Sequence, residues 1–294
     1  MGILIYDQYA AWQQECEARF RKLRANEEQL NRIFITLYGL EGELTPEVEE
    51  KSVTVRRADL TREIRSLISY AVGCLFGRYS VDAKGLCYAG GVWEDSLYQT
   101  VIPTKTNILP IGETGDFEDD LTVRIIEFVR LVYGEDTLEE NLACIAGALG
   151  GSGTPREVLR KYLLTGFYPD HCKIYQKRPI YWMFSSGRKH GFKALVYMHR
   201  WSPSTVETVR TDYVQKLQER RRMQLDALSA RMQTAAQSDC KSLRTQQERL
   251  AAKLDEIDLF AEKLHRLAGQ NTGIDLDDGV KVSYERFAEV LEKL

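Results

Sequence analysis

The chain has 294 residues, of which 44% are hydrophobic and 28% are charged, so it has the composition of a globular protein and the length of one large or two ordinary domains. It has no apolar run of about 18 residues that could span a membrane, and its first residues lack the basic start and apolar stretch of a signal peptide. Its six cysteines show no paired spacing, so the sequence predicts free thiols and a cytoplasmic location.

The charges are unevenly distributed along the chain. The net charge of −3 by itself argues against a nucleic-acid-binding protein. However, ten acidic residues and only two arginines lie between Glu113 and Glu140, whereas residues 171–206 contain seven lysines or arginines, three of the four histidines and no acidic residue. This segregation predicts a local positive surface that the total charge conceals.

The N-terminal region, residues 1–40, predicts one long helix. Apolar residues from Trp12 to Leu37 recur at steps of three and four, and the pattern ends at Gly39, a typical C-cap, so we expect an amphipathic helix over about residues 5–38. Residues 41–203 are then expected to form a mixed α/β module. It opens with a polar passage and a helix from Leu60 to Phe76, followed by a glycine- and aromatic-rich stretch of loops and short strands.

A glycine cluster, "GALGGSGTP", follows two predicted helices at residues 117–134 and 137–149. Thr154 is positioned as an N-cap, Pro155 as the first helical residue and Glu157 as the third, which together make a capping box. The cluster therefore predicts a turn between helices. A phosphate-binding loop is the weaker alternative, because no Gly-Lys-Ser/Thr ending and no preceding buried strand accompany it.

An acidic group lies at the N-terminal end of the helix predicted over residues 117–134. It consists of Asp116, Glu118, Asp119 and Asp120. Four carboxylates could hold a metal ion. They equally suit the positive end of a helix dipole, and we favour that structural interpretation.

The basic segment predicts a β-hairpin. Residues 179–184 and 192–198 are rich in β-branched and aromatic residues, and "SSGRKHG" between them has the residues of a long turn. Alternation places Trp182 and Phe184 on one face and Tyr181 and Met183 on the other, while Arg188 and its neighbours project from the turn. Phosphate is the natural partner of such cations, although a solvated loop is the plainer alternative.

Residues 204–270 predict an antiparallel coiled-coil hairpin of two long helices. Leu243, Leu250, Ile257 and Leu264 recur every seven residues, and "AAQSDCK" breaks the preceding stripe. One continuous rod is the alternative. Residues 271–294 predict a loop and a short helix, so the fold class is α+β and predominantly helical, with a β-hairpin beside a helical hairpin.

The predicted DNA-binding residues are Lys177, Arg178, Arg188, Lys189, His190, Lys193, Arg200, Arg220, Arg221 and Arg222. The three arginines at 220–222 could contact phosphate, but a charge cluster on a long helix is more often a solvated face.

Long blocks of this sequence resemble the C-terminal part of the adenine-specific DNA methyltransferases of BREX phage-defence systems, the PglX family. The blocks are "NEEQLNRIFITLYGLEGELTPEV" (26–48), "ISYAVGCLFGRYSVDAKGLCYAGG" (68–91), "DHCKIYQKRPIYWMFSSGRKHGFKALVYMHR" (170–200), "VRTDYV" (209–214) and "IDLDDGVKVSYERF" (274–287). Similar sequences occur at the C-terminal ends of fused Type IIG restriction-modification enzymes.

The resemblance implies an S-adenosylmethionine-dependent enzyme that methylates adenine N6. Its glycine-rich cofactor motif and its Asn-Pro-Pro-Tyr-type motif are expected in another part of the protein, because this chain has no Pro-Pro dipeptide and no catalytic residue can be carried over. The expectation is a non-catalytic module without its own cofactor that recognises double-stranded DNA. The alternative is a docking module for the methyltransferase half or for other BREX or restriction-modification proteins. No membrane partner is expected.

Overall fold

The structure, a computed structural model, describes residues 2–113, 115–234, 237–270 and 273–294. It is α+β and predominantly helical, as predicted. The helices are α1 (Ile5–Tyr38), α2 (Leu60–Leu75), α3 (Leu121–Tyr133), α4 (Leu138–Leu149), α5 (Pro155–Thr165), α6 (Phe167–Ile174), α7 (Thr205–Thr208), α8 (Lys216–Thr234), α9 (Gln237–Ala268) and α10 (Val280–Glu285), and the strands are β1 (Ile108–Pro110), β2 (Tyr181–Ser185) and β3 (Lys193–Tyr197). A π-helical segment, Val209–Gln215, joins α7 to α8.

Helix α1 is attached to the core at its N-terminal end. The backbone N–H of Ile5 donates to the side chain of Asn141 on α4 at 2.8 Å. The helix ends at Gly39, which adopts a left-handed φ of +66°. The chain then runs back along α1, where Arg57 pairs with Glu17 at 2.7 Å and lies 4.1 Å from the ring centre of Phe20. The predicted helix is confirmed, but only part of its apolar stripe is buried.

The predicted β-hairpin is confirmed and belongs to a three-stranded antiparallel sheet of order β1-β3-β2. Tyr181 packs against Phe76, the C-cap of α2, with 5.4 Å between ring centroids, while Trp182 packs on the opposite face against Trp201 at 5.3 Å. Both faces of the sheet are therefore buried. Residues 290–292 cover the outer edge of β2, since Ser185 N donates to Val290 O and Glu292 N donates to Met183 O.

The glycine cluster forms a turn between two helices. Gly150 ends α4, and Thr154 caps α5 in a complete capping box with Glu157.

The structural interpretation of the acidic group also agrees with the geometry. Asp120 caps α3 by accepting from the N–H groups of Thr122 and Val123, and Asp119 accepts from the hydroxyl of Tyr213 at 2.7 Å.

Helices α8 and α9 run antiparallel to each other. Gln218 donates to Asp258 at 2.5 Å, and Gln247, eleven residues earlier on α9, donates to Ser229, eleven residues later on α8. This direction excludes the continuous rod. The break predicted at "AAQSDCK" includes residues 235 and 236, which lie outside the described residues.

The base of the helical hairpin shares the central core. Ile257, Phe260 and Leu264 of α9 are buried in the same hydrophobic cluster as the strands, and Phe260 lies 5.7 Å from Phe192 between ring centroids. By contrast, Leu225 and Leu250, farther along the hairpin, are only half-buried. The division predicted at residue 204 therefore does not coincide with a gap in the packing.

Candidate nucleic-acid interface

The turn between β2 and β3 is held against α9 by one carboxylate. Glu256 accepts hydrogen bonds from the hydroxyl of Ser186 at 2.8 Å and from the backbone N–H groups of Lys189 and Gly191 at 2.9 and 3.0 Å. Burial alone would raise the pKa of Glu256, but these hydrogen bonds more than offset it and hold the pKa below its ordinary value. The tip of the hairpin is therefore fixed, whereas the sequence predicted a free tip with no acid nearby.

Glycine allows this close approach at two positions. A Cβ at Gly191 would lie 2.8 Å from Cγ1 of Ile257 and 3.0 Å from the carbonyl oxygen of Lys253. At Gly187, where φ is +141°, a Cβ would lie 2.7 Å from Oε2 of Glu256. The backbone of the turn is thus part of the packed structure, and its long side chains extend from a rigid base.

Arg188 and Lys189 extend from this turn and are exposed. Within the described ranges neither has an ion-pair partner. Arg188 lines a groove of about 590 Å³ together with Lys263 and Lys293. The groove contains two carboxylates, Glu289 and Glu292, but they pair with Arg266 and Lys193.

His190 differs from its two neighbours in charge. Partial burial and the nearby charge of Lys193 lower its pKa below the ordinary value. The imidazole is therefore neutral at pH 7, and the turn carries two cations rather than the three that the sequence suggested.

Lys177 and Arg178 lie at the other end of the sheet. Both are exposed, and they precede β2, whereas the turn follows it. A strand of five residues separates the two ends by about 17 Å. The sequence grouped these two residues with the turn because they are close along the chain, but the structure separates them in space.

Lys193 and Arg200, two of the predicted DNA contacts, both make contacts within the protein. Lys193 is 5% exposed and pairs with Glu292 at 2.9 Å. Arg200 donates to the carbonyl oxygen of Phe76 at 3.1 Å and lies 4.3 Å from the ring centre of Trp93. Burial lowers the pKa of Arg200, and its guanidinium fixes the aromatic loop that contains Trp93.

The three arginines at 220–222 anchor the base of the helical hairpin. Arg221 is 2% exposed and pairs with Asp116 at 2.6 Å, so it cannot contact DNA in this conformation. Arg220 is exposed but donates to the carbonyl oxygens of Gly115 and Asp116. Arg222 is exposed and pairs with Asp258 at 3.2 Å. The cluster connects α8 to the loop before α3 and to α9 rather than forming an unpaired basic patch.

The sequence did not point to Glu256, Lys263 or Lys293. Each lies at least 64 residues after the turn in the sequence. Nothing in the local sequence distinguishes them from other charged residues on a helix or near a terminus. Only the packing of α9 and of residues 290–292 against the sheet brings them to the groove.

Curated relatives of the chain are methyltransferases. Over 285 residues, 95% of its length, the chain is 46% identical to the adenine-specific methyltransferase PglX of Lacticaseibacillus casei (strain Zhang), of which it covers 24%. Over 244 residues, 78% of its length, it is 40% identical to the adenine-specific methyltransferase BrxX of Escherichia coli O9:H4 (strain HS), of which it covers 20%. The chain corresponds to one part of adenine-specific methyltransferases.

The resemblance to PglX inferred from the sequence blocks is confirmed, and the chain spans between a fifth and a quarter of these relatives. No protein-family model matches the chain. Among the described helices, none is long and apolar enough to cross a membrane.

The glycine cluster does not fit the cofactor S-adenosylmethionine. It follows helix α4 instead of a strand, and Glu157 accepts the backbone N–H of Thr154 at 2.8 Å. A Cβ at Gly153 would lie 2.8 Å from the Glu157 carboxylate, so side-chain atoms of the protein itself fill the space beside the helix N-terminus. In the described part of the chain no group of His, Cys, Asp and Glu has the arrangement of a metal site.

Proposed function

We propose that this chain is a non-catalytic DNA-recognition and scaffold module of an adenine-specific DNA methyltransferase of a BREX or restriction-modification system. Methyl transfer and S-adenosylmethionine binding would belong to a part of the enzyme outside this chain. Its similarity to PglX and BrxX supports the enzyme class, because those relatives are adenine-specific methyltransferases and the chain covers a quarter or less of each.

The observation that carries the proposal is the rigid turn with its unpaired cations. Arg188 and Lys189 leave a backbone that Glu256 fixes in three hydrogen bonds. A guanidinium and an ammonium on a fixed base lose less conformational entropy on binding phosphate than those on a mobile loop. Lys263 and Lys293 extend the positive surface along the groove. Contacts of this kind position a duplex through its backbone and carry no sequence information of their own.

Duplex binding by two matched double variants tests the proposal. Arg188→Ala with Lys189→Ala is expected to weaken binding of a labelled duplex similarly for all sequences. It should also reduce the salt dependence by about 0.9 log units for each phosphate that the variant no longer neutralises. Lys177→Ala with Arg178→Ala removes the same number of exposed cations from the other end of the sheet and serves as the control. Melting temperatures should change little in both.

Three results would contradict the proposal. Wild-type affinity and salt slope in the Arg188/Lys189 variant would move the DNA-binding surface away from the turn. An equal decrease in affinity in both variants would indicate nonspecific attraction to the overall positive charge. Turnover of labelled S-adenosylmethionine by this chain alone would show that it is catalytic.

A docking role is the second candidate, in which the chain assembles the methyltransferase without contacting DNA. The observation in its favour is a row of exposed apolar side chains on α1. The turn and the apolar row on α1 are different surfaces, so variants of each can test the two candidates separately.

A further inference from the structure

The C-terminal third of α1 exposes an apolar stripe made of Leu30, Ile33, Phe34, Leu37 and Tyr38, which we call the α1 stripe. Each of these side chains is between 53% and 70% exposed. Their spacing places them on one side of the helix over about two and a half turns. Leu44, in the turn that follows the helix, is also exposed.

Another side of this helix is already packed. Cys16, Phe20 and Ile35 are buried, and the returning segment is fixed to α1 by the bond from Asn31 to the carbonyl oxygen of Pro46. The returning segment therefore covers the other side of the helix and leaves the α1 stripe open. Soluble proteins rarely expose a continuous apolar surface of this kind unless it binds a partner.

Acidic residues border the α1 stripe. Glu41, Glu43 and Glu47 follow the end of the helix and are exposed, and none of them has an ion-pair partner among the residues that the structure describes. Negative charge beside apolar side chains repels phosphate. The stripe is therefore unsuited to DNA and complements an apolar protein surface with a basic rim.

A second copy of the chain fits the stripe poorly. An antiparallel pair centred on Phe34 would place Glu27 of one copy opposite Glu41 of the other, which brings like charges together. A contact between two helices over about two and a half turns also buries much less than the roughly 1,200 Å² of a specific interface.

We propose that the α1 stripe docks onto the methyltransferase part of the enzyme, on an apolar surface with a basic rim. This inference rests on the scaffold role in the proposed function. PglX and BrxX contain at least three times as much polypeptide outside the matched region as within it, since the match covers 24% and 20% of their lengths. The remaining polypeptide of such an enzyme is large enough to cover the stripe.

Side-chain accessibility inside an intact enzyme tests this docking. A fusion is made in which the chain replaces the matched 285 residues of the L. casei PglX. Leu37→Cys is the reporter on the stripe, and Arg32→Cys is the control on the far side of the same helix. Maleimide labelling is followed by mass spectrometry of the reporter peptide. Leu37→Cys should label at least about tenfold more slowly in the fusion than in the isolated chain, whereas Arg32→Cys should label equally in both.

A second measurement covers the case in which the fusion does not fold. The full chain is titrated with the L. casei PglX that lacks its matched residues. Phe34→Glu with Leu37→Glu should weaken binding at least about tenfold, and the charge-matched exposed pair Gln29→Glu with Thr36→Glu should not.

The outcomes separate this inference from the DNA-binding proposal. Equal labelling of Leu37→Cys in the fusion and in the isolated chain, or equal binding by the two glutamate variants, would overturn the docking inference while leaving DNA binding by the turn intact. A dimer of the isolated chain that the Phe34/Leu37 variant abolishes would make a second copy the partner and would also overturn it. Protection of the stripe in a chain that binds no DNA would support the docking and reject the DNA-binding role.

Discussion

His171 shows how one buried side chain connects two elements. Its Nε2 accepts hydrogen bonds from the backbone N–H groups of Ile180 and Tyr181, both at 3.1 Å. A side chain of α6 therefore provides the hydrogen-bond acceptor for two backbone donors at the start of β2. The ring lies against Tyr175 and Tyr181, with centroids 4.5 and 4.8 Å away. Because Nε2 accepts, the imidazole must be neutral with its proton on Nδ1. Burial lowers the pKa of His171 to about 3.

This neutral histidine predicts a loss of stability in acid. The unfolded chain takes up a proton on His171 below its ordinary pKa of about 6.5, whereas the folded chain does so only near 3. The stability that the chain gains by keeping His171 neutral in the folded state is thus fully present above pH 6.5. It is lost as the pH falls toward 3. The free energy of unfolding should decrease by up to about 1.4 kcal/mol per pH unit in this range.

The conservative variant His171→Gln isolates this effect. A glutamine side chain can place an acceptor near the two N–H groups without titrating, so its unfolding free energy should depend less steeply on pH than that of the wild type. Urea unfolding at about pH 7.5 and pH 5 measures the difference, and His265→Gln on the exposed side of α9 is the control. Parallel pH profiles for wild type and His171→Gln would show that other groups cause the acid sensitivity.

Lys193 and Arg188 show what the sequence can predict about single residues. Both occur in a basic segment without acidic neighbours, and the sequence assigns them the same role. Strand pairing leaves Arg188 in the turn and buries Lys193 in β3, where Glu292 from the end of the chain neutralises it. The type and place of the strands follow from local pattern, but the partner of Lys193 depends on a contact across 99 residues.

At the level of elements, the β2–β3 turn depends on the absence of a side chain at Gly191. Gly191→Ala would push a methyl group against Ile257 and the backbone of α9. We expect a loss of about 1–3 kcal/mol in the free energy of unfolding, together with weaker duplex binding, because the turn would separate from Glu256. Denaturant unfolding and the duplex titration measure the two effects.

Gly147→Ala is the matched control for this change. Gly147 lies inside α4, and an added Cβ would meet no atom within 4 Å. Because glycine is a poor helix former, alanine there should be neutral or stabilising by up to about 1 kcal/mol. Equal stability of the Gly191→Ala variant and the wild type would mean that the turn can move away from α9 at little cost.

The helical hairpin has a gradient of burial that the heptad pattern does not reveal. Leu250 and Ile257 occupy equivalent positions seven residues apart, and the sequence predicts similar effects of a charge at either. In the structure Ile257 is fully buried in the central core, whereas Leu250 is half-buried between α8 and α9. A pattern with a period of seven identifies which side of a helix faces inward, but it does not show how deeply each residue on that side is buried.

Two aspartate substitutions measure this gradient. Ile257→Asp buries an unpaired carboxylate in the core and should destabilise the chain by at least about 4 kcal/mol or prevent folding. Leu250→Asp retains access to water and should destabilise it by about 1–2 kcal/mol. Thermal melts of both variants give the order. A larger effect at Leu250 would place the main seam of the hairpin away from the core.

For the whole molecule, the sequence predicted the elements better than their assembly. Helix α1, helices α3 to α5, the β-hairpin and the antiparallel helical pair were predicted from periodicity and caps. Strand β1, at residues 108–110, and the covering of β2 by residues 290–292 were not, because three-residue pairings have no periodic signal. The same limit applies to the candidate interface, whose turn was visible in the sequence while its fixing residue on α9 was not.

The shared core predicts that the body of the chain unfolds as one unit. One hydrophobic cluster extends from Ile64 of α2 through the sheet to Phe260 of α9 and Leu291 near the C-terminus. Since α9 contributes residues that the sheet needs for its burial, residues 204–270 cannot leave without exposing Phe192 and its neighbours. Differential scanning calorimetry should show one main transition whose calorimetric and van't Hoff enthalpies agree. An additional transition at lower temperature that Leu250→Asp removes would instead show that the helical hairpin melts separately, and would support the domain boundary predicted at residue 204.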